Sequence, residues 1–153
     1  MTLEEIAKKM CAKGKGILAA DESTGTMNKR LTSVGVECTD KNRLNFREML
    51  FTSDAMKSYI GGVILFDATI REKTSTGLPI PELLERNNSI VGIKVDKGAK
   101  KLAGSLEETV TEGLDGLRER LSEYYKLGAR FTKWRAVYNV GKNFPSAQSI
   151  KSN

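Results

Sequence analysis

Histidine is absent from this sequence of 153 residues. Its absence excludes Ser-His-Asp and Cys-His nucleophilic sites built within the chain, and it also excludes zinc sites that need imidazole ligands. Any proton transfer that this chain performs therefore has to use aspartate, glutamate, lysine, tyrosine or cysteine.

Cysteine is scarce, and its two positions form no recognisable pattern. Cys11 and Cys38 have neither the spacing of a metal site nor that of a disulfide framework, so we expect two free thiols and a reducing compartment. No apolar run approaches the roughly 20 residues of a membrane helix, and charged residues interrupt the apolar positions after Met1. We therefore expect a cytoplasmic protein with no membrane partner, folded as a single domain over residues 1–153.

The chain carries 25 basic and 19 acidic residues, which gives a net charge of +6. A basic balance favours anionic partners such as phosphates, nucleic acid or acidic surfaces. A basic surface that only keeps the protein soluble explains the same charge equally well. Composition therefore leaves both interpretations open, and specific residues have to decide between them.

The most informative stretch is GKGILAADESTGTMNKR, at residues 14–30. Its apolar residues 16–20 predict a short buried strand that ends at Asp21. A hydroxyl-rich turn follows, and then Lys29 and Arg30, which we expect just inside a helix start, where anions bind well. Because α/β sheets and β/α barrels place their chemistry at the carboxyl ends of parallel strands, this arrangement favours a ligand site. Asp21 as a simple turn former or N-cap is the structural alternative.

Strand and helix patterns alternate along the rest of the chain. We predict strands at 16–20, 61–66, 90–96 and 129–137, and helices at 3–12, 27–34, 40–51, 107–126 and from 145 onward. Such alternation indicates parallel strands joined by right-handed crossovers. Four βα units fit either a small doubly wound sheet or half of an eight-fold barrel, and 153 residues fall short of the roughly 250 of a complete barrel.

Three cations lie within the predicted third and fourth strands. Lys94 alternates with apolar neighbours, and Lys133 shares a strand face with Arg135. A lysine in a buried strand is costly unless it is paired or used. The structural alternatives are a solvated lysine on an edge strand for Lys94 and an amphipathic outer strand for the other two. Together with Asp21, the two lysines provide groups for proton transfer at a carbonyl, beside cations that hold phosphate.

Several blocks of the sequence match one known family in the same order. GKGILAADESTGTMNKRL closely resembles the opening of class I fructose-1,6-bisphosphate aldolases, and GGVILF, GIKVDKG, LAGS, GLDGL and ARFTKWRAV continue the resemblance to the end of the chain. The resemblance implies an α/β fold, namely the first four βα units of a (β/α)8 TIM barrel. It also implies reversible cleavage of fructose 1,6-bisphosphate to dihydroxyacetone phosphate and glyceraldehyde 3-phosphate. In the family, this reaction uses a lysine Schiff base and no metal or other cofactor, usually in a homotetramer.

The resemblance assigns roles to individual residues. Asp21 matches the active-site aspartate that assists carbinolamine and C–C cleavage chemistry. Lys133 matches the fourth-strand lysine that assists Schiff-base formation and proton transfer, and Lys94 matches the third-strand lysine that contacts substrate and tunes the charge of the site. The implied substrate-binding residues are Thr26, Lys29, Arg30, Arg43, Lys94 and Arg135. Of these, Arg43 has a simple structural alternative, which is a solvated arginine on an exposed helix face.

The family pattern extends beyond these residues. Its Schiff-base lysine lies on the sixth strand and its catalytic glutamate on the fifth, and neither strand is among residues 1–153. We therefore expect the sequence to be truncated at both ends relative to the family. We also expect residues 1–153 alone not to cleave the sugar bisphosphate.

Other functions have to be weighed against this one. A different phosphosugar lyase or isomerase on a related barrel is disfavoured by the AADESTG and KWR blocks. A catalytically inactive aldolase fragment that binds a polyanion or a partner protein is the main alternative, with the basic loop at residues 97–101 as its candidate contact. A zinc-dependent class II aldolase is disfavoured because its histidine ligands have no counterpart, and we expect no specific recognition of nucleic acid.

Overall fold

Helices and strands alternate over most of the chain in the computed structural model, which describes all of residues 1–153. The helices are α1 (Leu3–Met10), α2 (Thr24–Ser33), α3 (Asp40–Phe51), α4 (Asp54–Tyr59), α5 (Asp67–Ile70), α6 (Ile80–Arg86), α7 (Leu117–Lys126) and α8 (Ala147–Ser152). The strands are β1 (Gly16–Ala20), β2 (Ile60–Leu65), β3 (Ile90–Lys94), β4 (Ala99–Lys101), β5 (Thr109–Thr111) and β6 (Phe131–Lys133).

Four of the strands form one parallel sheet in the order β1-β2-β3-β6. Helices lie in the connections between them, as parallel pairing requires. The register aligns the carboxyl ends of the strands in three pairs: Ala20 with Leu65, Leu65 with Ile93, and Lys94 with Lys133. The predicted α/β fold with four parallel strands is confirmed, and the residues that follow these strands meet at one end of the sheet.

One face of the sheet packs against the helices. Val63, Leu65 and Ile93 of the two central strands are at most 1% exposed. They belong to one apolar cluster with helical side chains that include Phe51, Met56, Ile70, Leu84 and Tyr124. Full burial of a large apolar side chain contributes about 1.5–3 kcal/mol relative to exposure, so this face provides most of the stabilisation of the sheet.

The other face of the sheet is built around a glycine. A Cβ atom on Gly92 would lie 2.2 Å from the ring of Phe131, so only glycine lets this ring cover β3. Side chains alternate along a strand, and therefore Lys94 and Lys133, each two residues farther on, share the face of Gly92 and Phe131. This face is thus apolar near the amino ends of the strands and charged near their carboxyl ends.

The predicted helix over residues 107–126 is wrong in its first half. Strand β5, which pairs antiparallel with β4, and irregular chain after it occupy that region, and α7 begins only at Leu117. Gly113 and Gly116 have φ values of 135° and 64°, which a right-handed helix does not contain. The apolar residues of the strand and of the helix that follows happen to be spaced as in a single helix, and this spacing caused the wrong prediction.

The outer strands also differ from their predictions. β1 is an edge strand rather than a buried one, and Ile17 is 46% exposed. β6 is shorter than predicted and ends at Lys133, so Arg135 lies in irregular chain beyond it. The sequence pattern records apolar character, but it does not show which strands of a sheet have a neighbour on only one side.

Helix α2 begins earlier than predicted. Ser23 is its N-cap, and the hydroxyl of this residue accepts a hydrogen bond from the backbone N–H of Thr26. Lys29 and Arg30 therefore lie in the second half of the helix and not at its start, where they were expected. The anion-binding potential of a helix N-terminus consequently does not act at these two cations.

The two cysteines are both free, with Cys11 exposed and Cys38 half-buried. The expectation of unpaired thiols is confirmed. None of the helices combines the length and the apolar character that crossing a bilayer requires.

Candidate active site

A cleft of about 920 Å³ opens at the carboxyl ends of the parallel strands. Residues that follow β1, β2, β3 and β6 line it, because the register brings these strand ends together. Most of the lining side chains are charged. They include five of the residues predicted from sequence, namely Asp21, Arg30, Lys94, Lys133 and Arg135. The cleft thus lies where β/α folds place their chemistry.

Asp21 and Lys133 form an ion pair in this cleft, with 2.7 Å between Oδ2 and Nζ. Asp21 follows β1 and Lys133 ends β6, and these are the two opposite edges of the sheet. In a flat sheet, three strand spacings would separate the edges by roughly 14 Å. The two side chains reach toward each other, and the sheet curves toward the face that carries the pair. The two side chains are 13% and 29% exposed, so water screens their attraction less than at an open surface.

Lys94 lies beside this pair on the adjacent strand. Its register partner is Lys133, and its Nζ is 2.8 Å from Oδ1 of Asp96. The alternative of a solvated lysine on an edge strand is wrong, because β3 has a neighbour on each side. Sequence reasoning missed Asp96, whose side chain is 2% exposed, although its position two residues after Lys94 on the same strand face was a usable signal.

Glu22 connects the cleft to the layer beneath it. Its carboxylate pairs with Arg30, which lines the cleft, and its Oε2 lies 3.8 Å from Nη2 of Arg47. Arg47 is 1% exposed, and its Nη2 also donates to the backbone oxygen of Glu22 at 2.7 Å. Burial lowers the pKa of Arg47, and the negative charges of Glu22 and Glu72 offset only part of that effect. Arg47 could not be predicted from the sequence, because its partner Glu22 lies 25 positions away along the chain.

Thr26 and Arg135 also line the cleft. The hydroxyl of Thr26 is 3.2 Å from that of Ser23 at the start of α2. Arg135 is exposed and forms no ion pair. Both residues are therefore free to contact a ligand in this space.

Lys29 and Arg43 do not line the cleft. Lys29 is exposed on α2. Arg43 donates to the backbone oxygen of Cys38 at 3.1 Å and pairs with Asp40. The hydrogen bond from Arg43 to the sulfur of Cys38, and then the one to Asp40, raise the pKa of Arg43 despite the opposing effect of burial. Its side chain is only 13% exposed, so it is neither solvated nor directed to the predicted site.

A second polar group borders the cleft beyond β2. The hydroxyl of Tyr124 donates to Oδ1 of Asp67 at 2.9 Å, and Arg71 pairs with both Asp67 and Glu123. Burial alone would raise the pKa of Asp67, but hydrogen bonds from Arg71 and Tyr124 outweigh it and hold this pKa below its ordinary value. The contacts tie α5 to α7. Sequence reasoning missed the contacts of Tyr124 with Asp67 and of Arg71 with Glu123 because each joins residues more than 50 positions apart.

Comparison with known proteins identifies the family. The family model described as fructose-bisphosphate aldolase class-I matches residues 2–153. A probable class 1 fructose-bisphosphate aldolase of Xylella fastidiosa is 56% identical over 99% of this chain, and the match covers 45% of that protein. The cytoplasmic isozyme 1 of Pisum sativum is 55% identical over 96% of this chain and is covered to 41%.

A solved structure gives the same result. Fructose-bisphosphate aldolase from Plasmodium falciparum, in complex with TRAP and a small-molecule inhibitor, superposes with a TM-score of 0.93 at 46% identity, over 97% of this chain and 43% of that one. This chain thus spans less than half the length of the relatives that it matches, and it has the fold of that part of them. By sequence and by fold, the chain belongs to the class I fructose-bisphosphate aldolase family.

Proposed function

We propose that this chain provides part of an aldolase active site, which binds fructose 1,6-bisphosphate in the cleft at the carboxyl ends of the strands. The reaction is reversible cleavage to dihydroxyacetone phosphate and glyceraldehyde 3-phosphate, with the nucleophilic lysine on a strand that lies outside these 153 residues. The observation that supports this proposal most directly is the ion pair of Asp21 and Lys133, 2.7 Å apart within the cleft. Nothing in the structure or the comparisons favours the alternative of an inactive, polyanion-binding fragment.

The roles of the catalytic residues follow from the chemistry of carbonyl addition. Formation and dehydration of a carbinolamine need a group that donates a proton and a group that removes one. Lys133 has a proton to donate, and Asp21 at hydrogen-bond distance can accept one, so the pair transfers protons to the oxygen and from the nitrogen of the carbinolamine. Lys94 lies beside them, paired with Asp96, and places its ammonium group near the substrate oxygens.

Cations in the cleft are suited to bind phosphate groups. Arg30, Lys94 and Lys133 are each paired with a carboxylate. Lys97 and Arg135 line the same cleft without such a partner, so their charges are available to an anionic ligand. We propose Arg135, Arg30 and Thr26 as phosphate ligands, with Lys29 and Arg43 contributing only if they move toward the cleft.

We further propose a cytoplasmic location and a homotetrameric assembly, as in the family. The names of the relatives from Pisum sativum and Arabidopsis thaliana describe them as cytoplasmic and cytosolic. The assembly is tested by measuring the mass of the whole protein in solution, where a species of four times the monomer mass is the expected result.

The catalytic proposal is tested in a chimera in which this chain replaces the matching residues of the Xylella fastidiosa relative. We expect cleavage of fructose 1,6-bisphosphate by the chimera and none by residues 1–153 alone, measured by coupled oxidation of NADH. Asp21→Asn and Lys133→Met should each lower kcat by about 10²- to 10⁴-fold, as for loss of a proton-transfer group. Lys100→Met, on the exposed strand β4 outside the cleft, is the matched control. Full activity in the Asp21 and Lys133 variants would refute these roles.

A further inference from the structure

Glu22 has two arginine neighbours, but only one of them is fully engaged with its carboxylate. Arg30 contacts Oε1 directly from the cleft side. Arg47 lies on the protein side, where its Nη2 is 3.8 Å from Oε2, beyond hydrogen-bond distance. Oε2 itself is buried and accepts no hydrogen bond. The carboxylate of Glu22 is therefore bound by Arg30, with Arg47 near it as an unused second partner.

Arg47 is costly to place where it is. A guanidinium with 2% side-chain exposure has lost almost all of its water, and its Nε has no hydrogen-bond acceptor. Its one good contact is from Nη2 to the backbone oxygen of Glu22. A buried cation that is only partly satisfied, directed at a carboxylate that is only partly satisfied, indicates a second arrangement in which the two bind each other.

Arg30 is the residue whose release would produce that arrangement. Its side chain is 59% exposed and lines the cleft, so it can reach solvent or a ligand. Glu22 is 11% exposed, and leaving its charge without a partner would be unfavourable. With Arg47 within 4 Å, the carboxylate keeps a counter-charge after Arg30 has left.

We propose that Arg47 is a positioning residue that acts as the alternative partner of Glu22 and so frees Arg30 to bind an anionic group of the ligand. The inference rests on the proposed function to the extent that an anion binds in the cleft. It adds that the affinity for this anion depends on a buried residue that does not touch it. Arg47 also fixes the backbone between Asp21 and Ser23 through the carbonyl of Glu22.

Inorganic phosphate is the probe for this inference, because the charge of Arg30 and not the sugar is at issue. Binding to the 153-residue chain is followed by NMR titration of the amides of α2. Arg47→Gln removes the alternative partner, so Glu22 should retain Arg30 and the phosphate affinity should fall by about tenfold, within the range of coupling between contacting charges. Arg47→Lys keeps the charge and should restore most of the affinity. Arg86→Met, a change at an exposed arginine paired with Glu82 on α6, should leave it unchanged.

Variants of Glu22 separate this role from a merely structural one. Glu22→Gln releases Arg30 and should tighten phosphate binding several-fold. In that background, Arg47→Gln should have no further effect, because Arg47 acts through the carboxylate. The double variant also removes both buried charges, so it should fold even if the single Arg47→Gln variant does not.

Three results would overturn the inference. They are unchanged phosphate affinity in Arg47→Gln, weaker binding in Glu22→Gln, and a further loss of affinity when Arg47→Gln is added to Glu22→Gln. Absence of saturable phosphate binding by the unmodified chain would overturn it as well. Failure of the proposed catalytic function is recorded separately, as an inactive chimera, and does not alter the comparison of phosphate affinities.

Discussion

The two central strands and the two edge strands of the sheet have divided roles. β2 and β3 have neighbours on both sides, and Val63, Leu65 and Ile93 within them are almost fully buried. β1 and β6 each have one free side, and Ile17 of β1 is half exposed. Yet the ion pair of the candidate active site joins residues of the edge strands. Burial is greatest in the two central strands, whereas the candidate site combines residues from both edge strands with Lys94 of β3.

This division has a physical basis. A central parallel strand has a neighbour on each side, and the face that packs against the helices favours apolar residues. An edge strand gives its terminal residues access to water, and therefore charged side chains are tolerated there. If the comparison is correct, substitutions in the centre should act on unfolding and those at the edges and the cleft should act mainly on binding.

The largest difference is expected between two isoleucines. Ile93→Ala in β3 removes a side chain that is 1% exposed and should lower the free energy of unfolding by about 2–5 kcal/mol. Ile17→Ala in β1 makes the same chemical change at an edge and should cost well under half as much. Urea unfolding followed by circular dichroism measures both. Equal losses would contradict the proposed division between centre and edge.

A smaller loss of stability is expected from adding a side-chain atom where Phe131 packs on β3. Gly92→Ala places a Cβ atom 2.2 Å from the ring of Phe131, so the ring or the strand has to shift, at a cost of about 1–3 kcal/mol. Gly25→Ala in α2 is the control, because a Cβ there meets nothing within 4 Å and alanine favours the helix. We expect denaturation midpoints to move in opposite directions for the two variants. A Gly92→Ala variant as stable as the unmodified chain would show that Phe131 does not need this contact.

The next largest effect is expected from removing the hydrogen bond between Tyr124, in the core, and Asp67, which lines the cleft. Tyr124→Phe leaves the ring in the core and removes the donor to Asp67, which should lower stability by about 0.5–1.5 kcal/mol. Tyr125→Phe, at a neighbouring tyrosine that is 63% exposed, should have no measurable effect. Thermal unfolding of the pair tests this. An equal shift in both variants would mean that the hydroxyl contact contributes nothing.

The smallest effects are those of pH, and they should have opposite signs at two carboxyl groups beyond β2. Asp67 has a folded-state pKa below its unfolded value, so its contribution is present above about pH 4 and is lost as the pH falls through the folded pKa. Burial raises the pKa of Glu72, and the charge of Arg47 offsets only part of this. Its contribution is therefore present below its unfolded pKa and is lost as the pH rises through the folded value.

These signs are tested by urea midpoints between about pH 3 and 7. Asp67→Asn should reduce the loss of stability on acidification. Glu72→Gln should make the protein more stable near neutral pH than the unmodified chain is. Parallel curves for all three proteins would show that neither group is coupled to folding.

Local signals in the sequence were sufficient for much of the fold. Helix α3 has the predicted bounds because Thr39 is a recognisable cap, and β1 has them because its apolar run is closed by Asp21. The hairpin of β4 and β5 was missed because pairing across a turn and the left-handed backbone of Gly113 leave no mark in hydrophobic spacing. In such segments, tertiary contacts override the local pattern.

The candidate site was likewise predicted from the sequence only in part. Asp21 and Lys133 were assigned to one site by the family resemblance, although they are 112 positions apart. Asp67 and Arg47 were not expected, since each acts through a contact that only folding creates. Arg43 was assigned to the site by position along the chain, and the structure directs it to Cys38 instead.

The distance between Asp21 and Lys133 depends on the curvature of the sheet, because the two residues belong to its opposite edges. The pair joins the two edge strands of the curved sheet, so flattening of β1-β2-β3-β6 would increase the distance between Asp21 and Lys133. A change at the outer side of β1 or β6 would therefore alter the distance between the two side chains that we propose transfer protons. Their separation reports the curvature of the sheet.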